Sequence, residues 1–293
     1  MRAAVIGATG TIGVPLVQAL AEAGHDVVAV SRRPKGDPGD RITRVAADAT
    51  DEAAMTNALA GAEVVYHLVH SLGRPDFEEL DRAAARAVAR GAAAAGVRQV
   101  VYLGGLGEGG DLSPHLRSRA ETAAILRGGT VPVTTLRAAM IVGAGSAAFE
   151  TILALVVRLP LMVCPRWVSV QTQPVAIDDV VRALLAVAGE ASTFGESYDV
   201  GGPEVMTYRG MMERTASVLG KRPLLIEVPL LTPRLSSLWL HLVTPVNAAV
   251  SRPLVEGLRV PTIARESRIW ELAGRAPLPF DDAARTALLE RPG

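Results

Sequence analysis

The residues with the clearest chemical purpose are the glycines of Gly7-Ala-Thr-Gly10-Thr-Ile-Gly13. They follow the apolar run Ala3–Ile6 and precede a helical pattern over Val14–Ala23 that stops at Gly24. A strand that turns on glycine into a helix directs main-chain N–H groups and the positive end of the helix dipole at one spot, which suits a pyrophosphate. Gly7, Thr9, Gly10, Thr11, Ile12 and Gly13 are therefore expected to hold a dinucleotide, with Gly13 letting the helix pack close to the sheet. A tight turn with no ligand is the plainer alternative. The strand, the helix and the βαβ context that follow are what the motif needs, which favours the ligand reading.

A second cluster, Ser31-Arg32-Arg33, closes the apolar run Asp26–Val30. An acidic residue here would accept ribose hydroxyls. Paired guanidiniums instead match a phosphate, so NADP(H) is expected over NAD(H), the alternative being two solvated loop charges. Asp48 and Ala49 follow the third run, Ile42–Ala46, and Asp48 suits equally a contact with the adenine region or a cap for the helix beginning near Asp51. The fourth run, Glu63–Val69, carries His67 and leads into His70 and Ser71. Odd separation on a strand sends side chains to opposite faces, so the two histidines are not expected to share a metal. Leu68, Val69 and His70 are read as cofactor contacts.

These residues need elements to carry them. Predicted helices over Glu52–Ala60, Phe77–Ala95 and Pro114–Arg127 alternate with further strands over Arg98–Leu103 and Val133–Val142. Such alternation predicts right-handed βαβ units and a doubly wound parallel sheet, an α/β Rossmann-like fold. Beyond Gly143 proline becomes frequent, with helices expected over Phe149–Arg158, Asp178–Ala188 and Val205–Leu219. Residues 1–145 are read as the dinucleotide-binding core. Residues 146–293 are read as completing the sheet and forming a smaller substrate cap, one structural unit with it.

Composition narrows the function. Thirty basic and thirty acidic residues balance, which argues against a general nucleic-acid binder. The single cysteine, Cys164, excludes an internal disulfide and favours a reducing compartment, with the cysteine itself buried and inert. No run reaches the roughly 20 apolar residues of a membrane span, and no secretory signal precedes the first strand, so a cytoplasmic protein is expected. The apolar stretch Leu230–Thr244 is read as pocket lid or core, the alternatives being a dimer contact or a membrane-surface contact, the latter disfavoured by its few basic residues. Asp178 and Asp179 are explained as helix-start charge. Gly143-Ala-Gly-Ser146-Ala does not complete a hydrolase nucleophile elbow, and Ser146 is read as a helix N-cap.

The glycine motif with Ser-Arg-Arg after it resembles the atypical short-chain dehydrogenase/reductase superfamily, in its NmrA-like and complex-I-accessory-subunit-like branches. His67-Leu-Val-His-Ser71, Tyr102-Leu-Gly-Gly-Leu-Gly107, His115-Leu-Arg-Ser-Arg119 and Pro165-Arg-Trp167 are similar to bacterial members of that group. The resemblance implies a Ser and a Tyr-x-x-x-Lys that protonate a carbonyl as hydride arrives. With lysine only at 35 and 221, and tyrosine only at 66, 102, 198 and 208, the chain contains no Tyr-x-x-x-Lys. His115 and Arg119 stand at the corresponding i and i+4 positions, and Gly104 or Gly105 at the serine position. The resemblance also brings Met140 and Ile141 to the nicotinamide.

The reading that follows is an NADP(H)-dependent oxidoreductase acting on a small, largely apolar carbonyl or enone-like substrate. His115 is the candidate acid and Arg119 the cofactor anchor, against the bland alternative of two helix-surface residues. The rivals are a non-catalytic NADP(H)-binding redox sensor or regulator, and a non-redox enzyme that keeps the cofactor as structure.

Overall fold

Residues 1–36, 39–107, 112–228, 257 and 260–291 are described by the structure, a computed structural model. The alternation of the first half appears as β1 (Arg2–Ile6), α1 (Gly13–Glu22), β2 (Asp26–Ser31), β3 (Ile42–Ala46), α2 (Glu52–Ala58), β4 (Val64–His67), α3 (Phe77–Ala94), β5 (Gln99–Gly105), α4 (Pro114–Arg127) and β6 (Val133–Ala138). Alternate side chains of each strand enter opposite layers. Val5 and Tyr66 pack with Leu16 and Leu20 of α1, while Ile6 and Val65 pack with Met55 of α2 and Val88 of α3. Both faces are covered, which is why the strands read as unbroken apolar runs rather than as alternation.

The second half supplies β7 (Ile141–Val142), α5 (Ala147–Arg158), β8 (Leu161–Pro165), β9 (Gln171–Thr172), β10 (Val175–Ala176), α6 (Ile177–Ala186), β11 (Ser197–Val200), β12 (Met206–Thr207), α7 (Tyr208–Val218), β13 (Leu224–Val228), α8 (Arg268–Leu272) and α9 (Phe280–Leu289). The main sheet has seven parallel strands in the order β11-β6-β5-β4-β1-β2-β3. Among the described residues three two-stranded pairs, β7 with β10, β9 with β12 and β8 with β13, lie outside it. A separate apolar cluster holds this second half together, built on Phe149, Leu155, Met162, Met211 and Phe280.

The chain runs outward from β1 to β3 and then returns to place β4 on the other side of β1. This reversal opens a crevice between the carboxyl ends of β1 and β4, the position at which doubly wound sheets receive their ligands. The strand expected over Val133–Val142 is interrupted. β6 ends at Ala138, whose carbonyl accepts from Leu106, and the chain steps through Ala139 and Met140 before β7 pairs with β10. No helix among the described residues is long and apolar enough to cross a membrane. Leu230–Thr244 lies outside the described residues.

Candidate functional site

The loop after β1 is shaped by two glycines. Gly7 has φ +93, a conformation that side chains rarely tolerate, and its N–H donates to Val30 O at 3.0 Å. A Cβ on Gly13 would stand 2.1 Å from Gly7 O, so only glycine lets α1 begin this close to the loop. Ile12 at the N-cap of α1 offers the first-turn amides no side-chain acceptor. Val14 N–H turns back to Gly10 O at 3.0 Å and Pro15 has no N–H, so the amides that suit an anion are those of Ile12 and Gly13 at the very start of the helix. The Thr11 hydroxyl donates to Gly145 O at 3.0 Å and ties this loop to the turn before α5.

A cleft of about 360 Å³ opens from the loop across the carboxyl edge of the sheet. It brings together Gly7, Gly10, Thr11, Ile12, Gly13, Leu68, His70, Gly104, His115, Arg119 and Met140, all singled out in the sequence. Ser113 caps α4 by accepting from Leu116 N–H at 3.3 Å, and Pro114 opens the helix, which orients His115 and Arg119 towards the cleft. Arg119 donates to Leu103 O, and its guanidinium stacks on the Tyr102 ring. Among the described residues Arg119 forms no ion pair, so its charge is available to the cleft.

The imidazoles of the cleft are held neutral. Desolvation, then the Arg119 charge, then His70 lower the His115 pKa to about 3. Desolvation by the cleft walls and Arg119 act on His70 in the same direction. His70 itself is an exposed residue. His67 differs from both: it is fully buried in β4, stacked 5.8 Å from Tyr102, with both ring nitrogens unpartnered and a pKa near 3. His67 ends its strand and His70 stands three residues further on, so the opposite-face argument is replaced by a simpler separation between strand and loop.

The remaining expected contacts lie outside that cleft. Thr9 is exposed, Ala49 is buried after β3, and Val69 packs on the α2–α3 core. Ser31 is buried at the end of β2 and its hydroxyl has no partner. Arg32 and Arg33 follow it, exposed and without ion pairs among the described residues. Asp48 accepts from both the N–H and the hydroxyl of Thr50, at 3.0 and 2.9 Å, and these bonds with the Arg32 charge hold its pKa down against partial burial. The cap of α2 is Asp51, which accepts from Ala54 N–H, so Asp48 is not the cap. Ser146 occupies the N-cap position of α5 but donates its hydroxyl to Ile141 O, leaving that helix start uncapped. Cys164 is buried.

Several lining residues carry no signal of their own in the sequence. Leu72, Leu106, Leu116, Ala147 and Ala148 complete the walls, and Tyr208 and Thr262 come from far along the chain. Thr262 is drawn in by its hydroxyl contact with Thr172 at 2.7 Å. The adjoining segment is pinned to the sheet edge, where Asp199 accepts from Arg265 N–H and Glu266 accepts from Asp199 N–H. Asp81, buried in α3, accepts from Ser71 N–H and from the Ser118 hydroxyl. Nothing adjacent to it in the sequence marks it as buried.

Comparisons with known proteins agree with this geometry. The family model for NAD(P)H-binding proteins matches residues 7–144. The chain is 30% identical over 292 residues to the (4-alkanoyl-5-oxo-2,5-dihydrofuran-3-yl)methyl phosphate reductase of Streptomyces griseus subsp. griseus, covering 95% of each. It is 25% identical over 241 residues to NADH dehydrogenase [ubiquinone] 1 alpha subcomplex subunit 9, mitochondrial, of Arabidopsis thaliana. That match takes in 78% of this chain and spans 60% of the plant protein's length. Among solved structures, a nucleoside-diphosphate-sugar epimerase from Staphylococcus aureus superposes with a TM-score of 0.77 over 99% of this chain and 100% of that one. At 15% identity that likeness is one of fold. The chain belongs to the NAD(P)H-binding family of atypical short-chain dehydrogenases/reductases.

Proposed function

We propose that this protein is an NADP(H)-dependent oxidoreductase whose cleft reduces a small, largely apolar carbonyl or enone-like compound. The observation that carries the reading is a single cleft in which the glycine loop faces His115 and Arg119. The residues fit the cofactor. Uncapped amides at α1 suit the pyrophosphate, and the orphaned Ser31 hydroxyl beside Arg32 and Arg33 suits a phosphorylated ribose. Bound there, NADPH supplies a hydride. Arg119, fixed by Leu103 O, holds negative charge in the cleft. His115 is neutral, so it serves as an N–H donor that polarises a carbonyl oxygen rather than as an imidazolium acid, and the proton that completes the reduction is taken from solvent as the product leaves. Leu72, Leu106, Leu116 and Tyr208 exclude water and favour an apolar substrate. The Streptomyces griseus relative is named as a reductase of an unsaturated lactone phosphate, which supports hydride transfer to a conjugated carbonyl.

The second reading, an NADP(H)-binding redox sensor without turnover, is favoured by the missing Tyr-x-x-x-Lys and by a His115 that is not an imidazolium acid at neutral pH. Titration of the purified protein with NADPH and NADH, followed by a panel of ketones, enones and quinones monitored by NADPH oxidation, separates them. Tight NADPH binding with oxidation by one class supports the reductase. Tight binding with none favours the sensor, and no binding removes both.

A further inference from the structure

Asp81 is a costly residue to bury. It is 4% exposed on α3, and desolvation raises its pKa, yet each oxygen accepts one hydrogen bond: Oδ1 from Ser71 N–H at 2.8 Å and Oδ2 from the Ser118 hydroxyl at 3.0 Å. Both partners adjoin cleft residues. Ser71 follows His70, and Ser118 precedes Arg119. Arg82 and Glu121 also join α3 to α4, at 2.9 Å, nearer the surface. An apolar residue at 81 would pack at lower desolvation cost.

We propose that Asp81 is a positioning residue: one carboxylate clamps the β4–α3 loop to α4 and so sets the separation of His70 from Arg119 across the cleft. The proposal rests on the NADP(H) reading of that cleft. Two directional bonds fix both the loop and the helix, which apolar contact cannot do. The bond to Ser118 holds the turn of α4 from which the Arg119 side chain leaves.

The test is fluorescence titration of NADPH with the full-length protein and its variants, alongside thermal melting. Asp81→Ala is expected to weaken NADPH binding about tenfold. Asp81→Asn, which can accept from Ser71 and donate to Ser118, is expected to stay within about threefold of the parent. Equal affinity for parent and Asp81→Ala would overturn the proposal. Asparagine as weak as alanine would also overturn it, in favour of a charge effect. Should Asp81→Ala not fold, Ser118→Ala decides: it should weaken binding about threefold alone and have no further effect in an Arg119→Ala background. Additive effects would overturn the clamp. Failure of the parent to bind NADPH would overturn the cofactor reading itself, a result distinct from the others.

Discussion

The guanidinium of Arg119 lies over the ring of Tyr102, 5.4 Å from its centroid, and the Tyr102 hydroxyl donates to the main-chain carbonyl of Arg119 at 3.1 Å. A buried tyrosine of the sheet thus grips the cleft residue of α4 by both side chain and main chain. Arginine suits this seat because a planar cation can stack and still donate in its plane. Lysine would restore the family's usual residue type but could not do both. Arg119→Lys is expected to weaken NADPH affinity about fivefold or more, measured by fluorescence titration. Unchanged affinity would remove Arg119 from the cofactor's grip.

The proposed preference for NADP(H) turns on Arg32 and Arg33. A guanidinium binds a phosphate in a charge-assisted, bidentate manner and gains little from a bare hydroxyl. Replacing both with alanine should weaken NADPH binding at least about tenfold while shifting NADH less than about threefold. Calorimetric titration of both nucleotides checks this, and equal losses would contradict the preference.

His115 is expected to act without changing its own charge. Its pKa lies near 3, so it is neutral from about pH 5 upward and contributes no inflection to kcat in the neutral range. His115→Ala should lower kcat about a hundredfold, with NADPH affinity within about threefold of the parent. A kcat profile that rises or falls around pH 6.5 and flattens in His115→Ala would show instead that the ring titrates during turnover.

His67 is a stability liability rather than a catalytic group. Its pKa near 3 in the fold lies below 6.5 in the unfolded chain, so the unfolded state takes up the proton first. Stability therefore falls as pH drops from about 6.5 towards 3, by up to about 1.4 kcal/mol per pH unit from this one group. His67→Phe keeps the stack on Tyr102 and removes two unpartnered nitrogens. It should stabilise the protein by about 1 kcal/mol at neutral pH, and by more at pH 5. Urea unfolding at both pH values checks this, and a destabilised variant would mean that the imidazole has a partner.

Much of the first half was legible because its signals are local. Gly7 and Gly13 announce a turn that only glycine can make, and Ser113-Pro114 announces the start of α4 to the residue. The i, i+4 relation of His115 and Arg119 is a property of the helix itself. Strand runs bounded by helical periodicity gave the parallel sheet and, with the family resemblance, the expectation of a cleft at its carboxyl edge. Position along the chain also marked Ser31, Arg32 and Arg33 as neighbours of the glycine loop.

Tertiary structure alone decided the rest. Whether a histidine is charged depends on what desolvates it, and neither the burial of His115 nor the full enclosure of His67 follows from adjacent residues. Tyr208 and Thr262 reach the cleft through contacts spanning much of the chain, so no periodicity marks them. Asp48 could be read as a ligand contact or a cap, and only the fold showed that Asp51 is the cap of α2. Asp81 looked like one charge among many on an alanine-rich helix. Its meaning arose only when folding placed a loop amide and a serine hydroxyl against the same carboxylate. Local sequence sets which conformations a segment prefers, whereas solvation and partners are set by residues distant in sequence that the fold brings near.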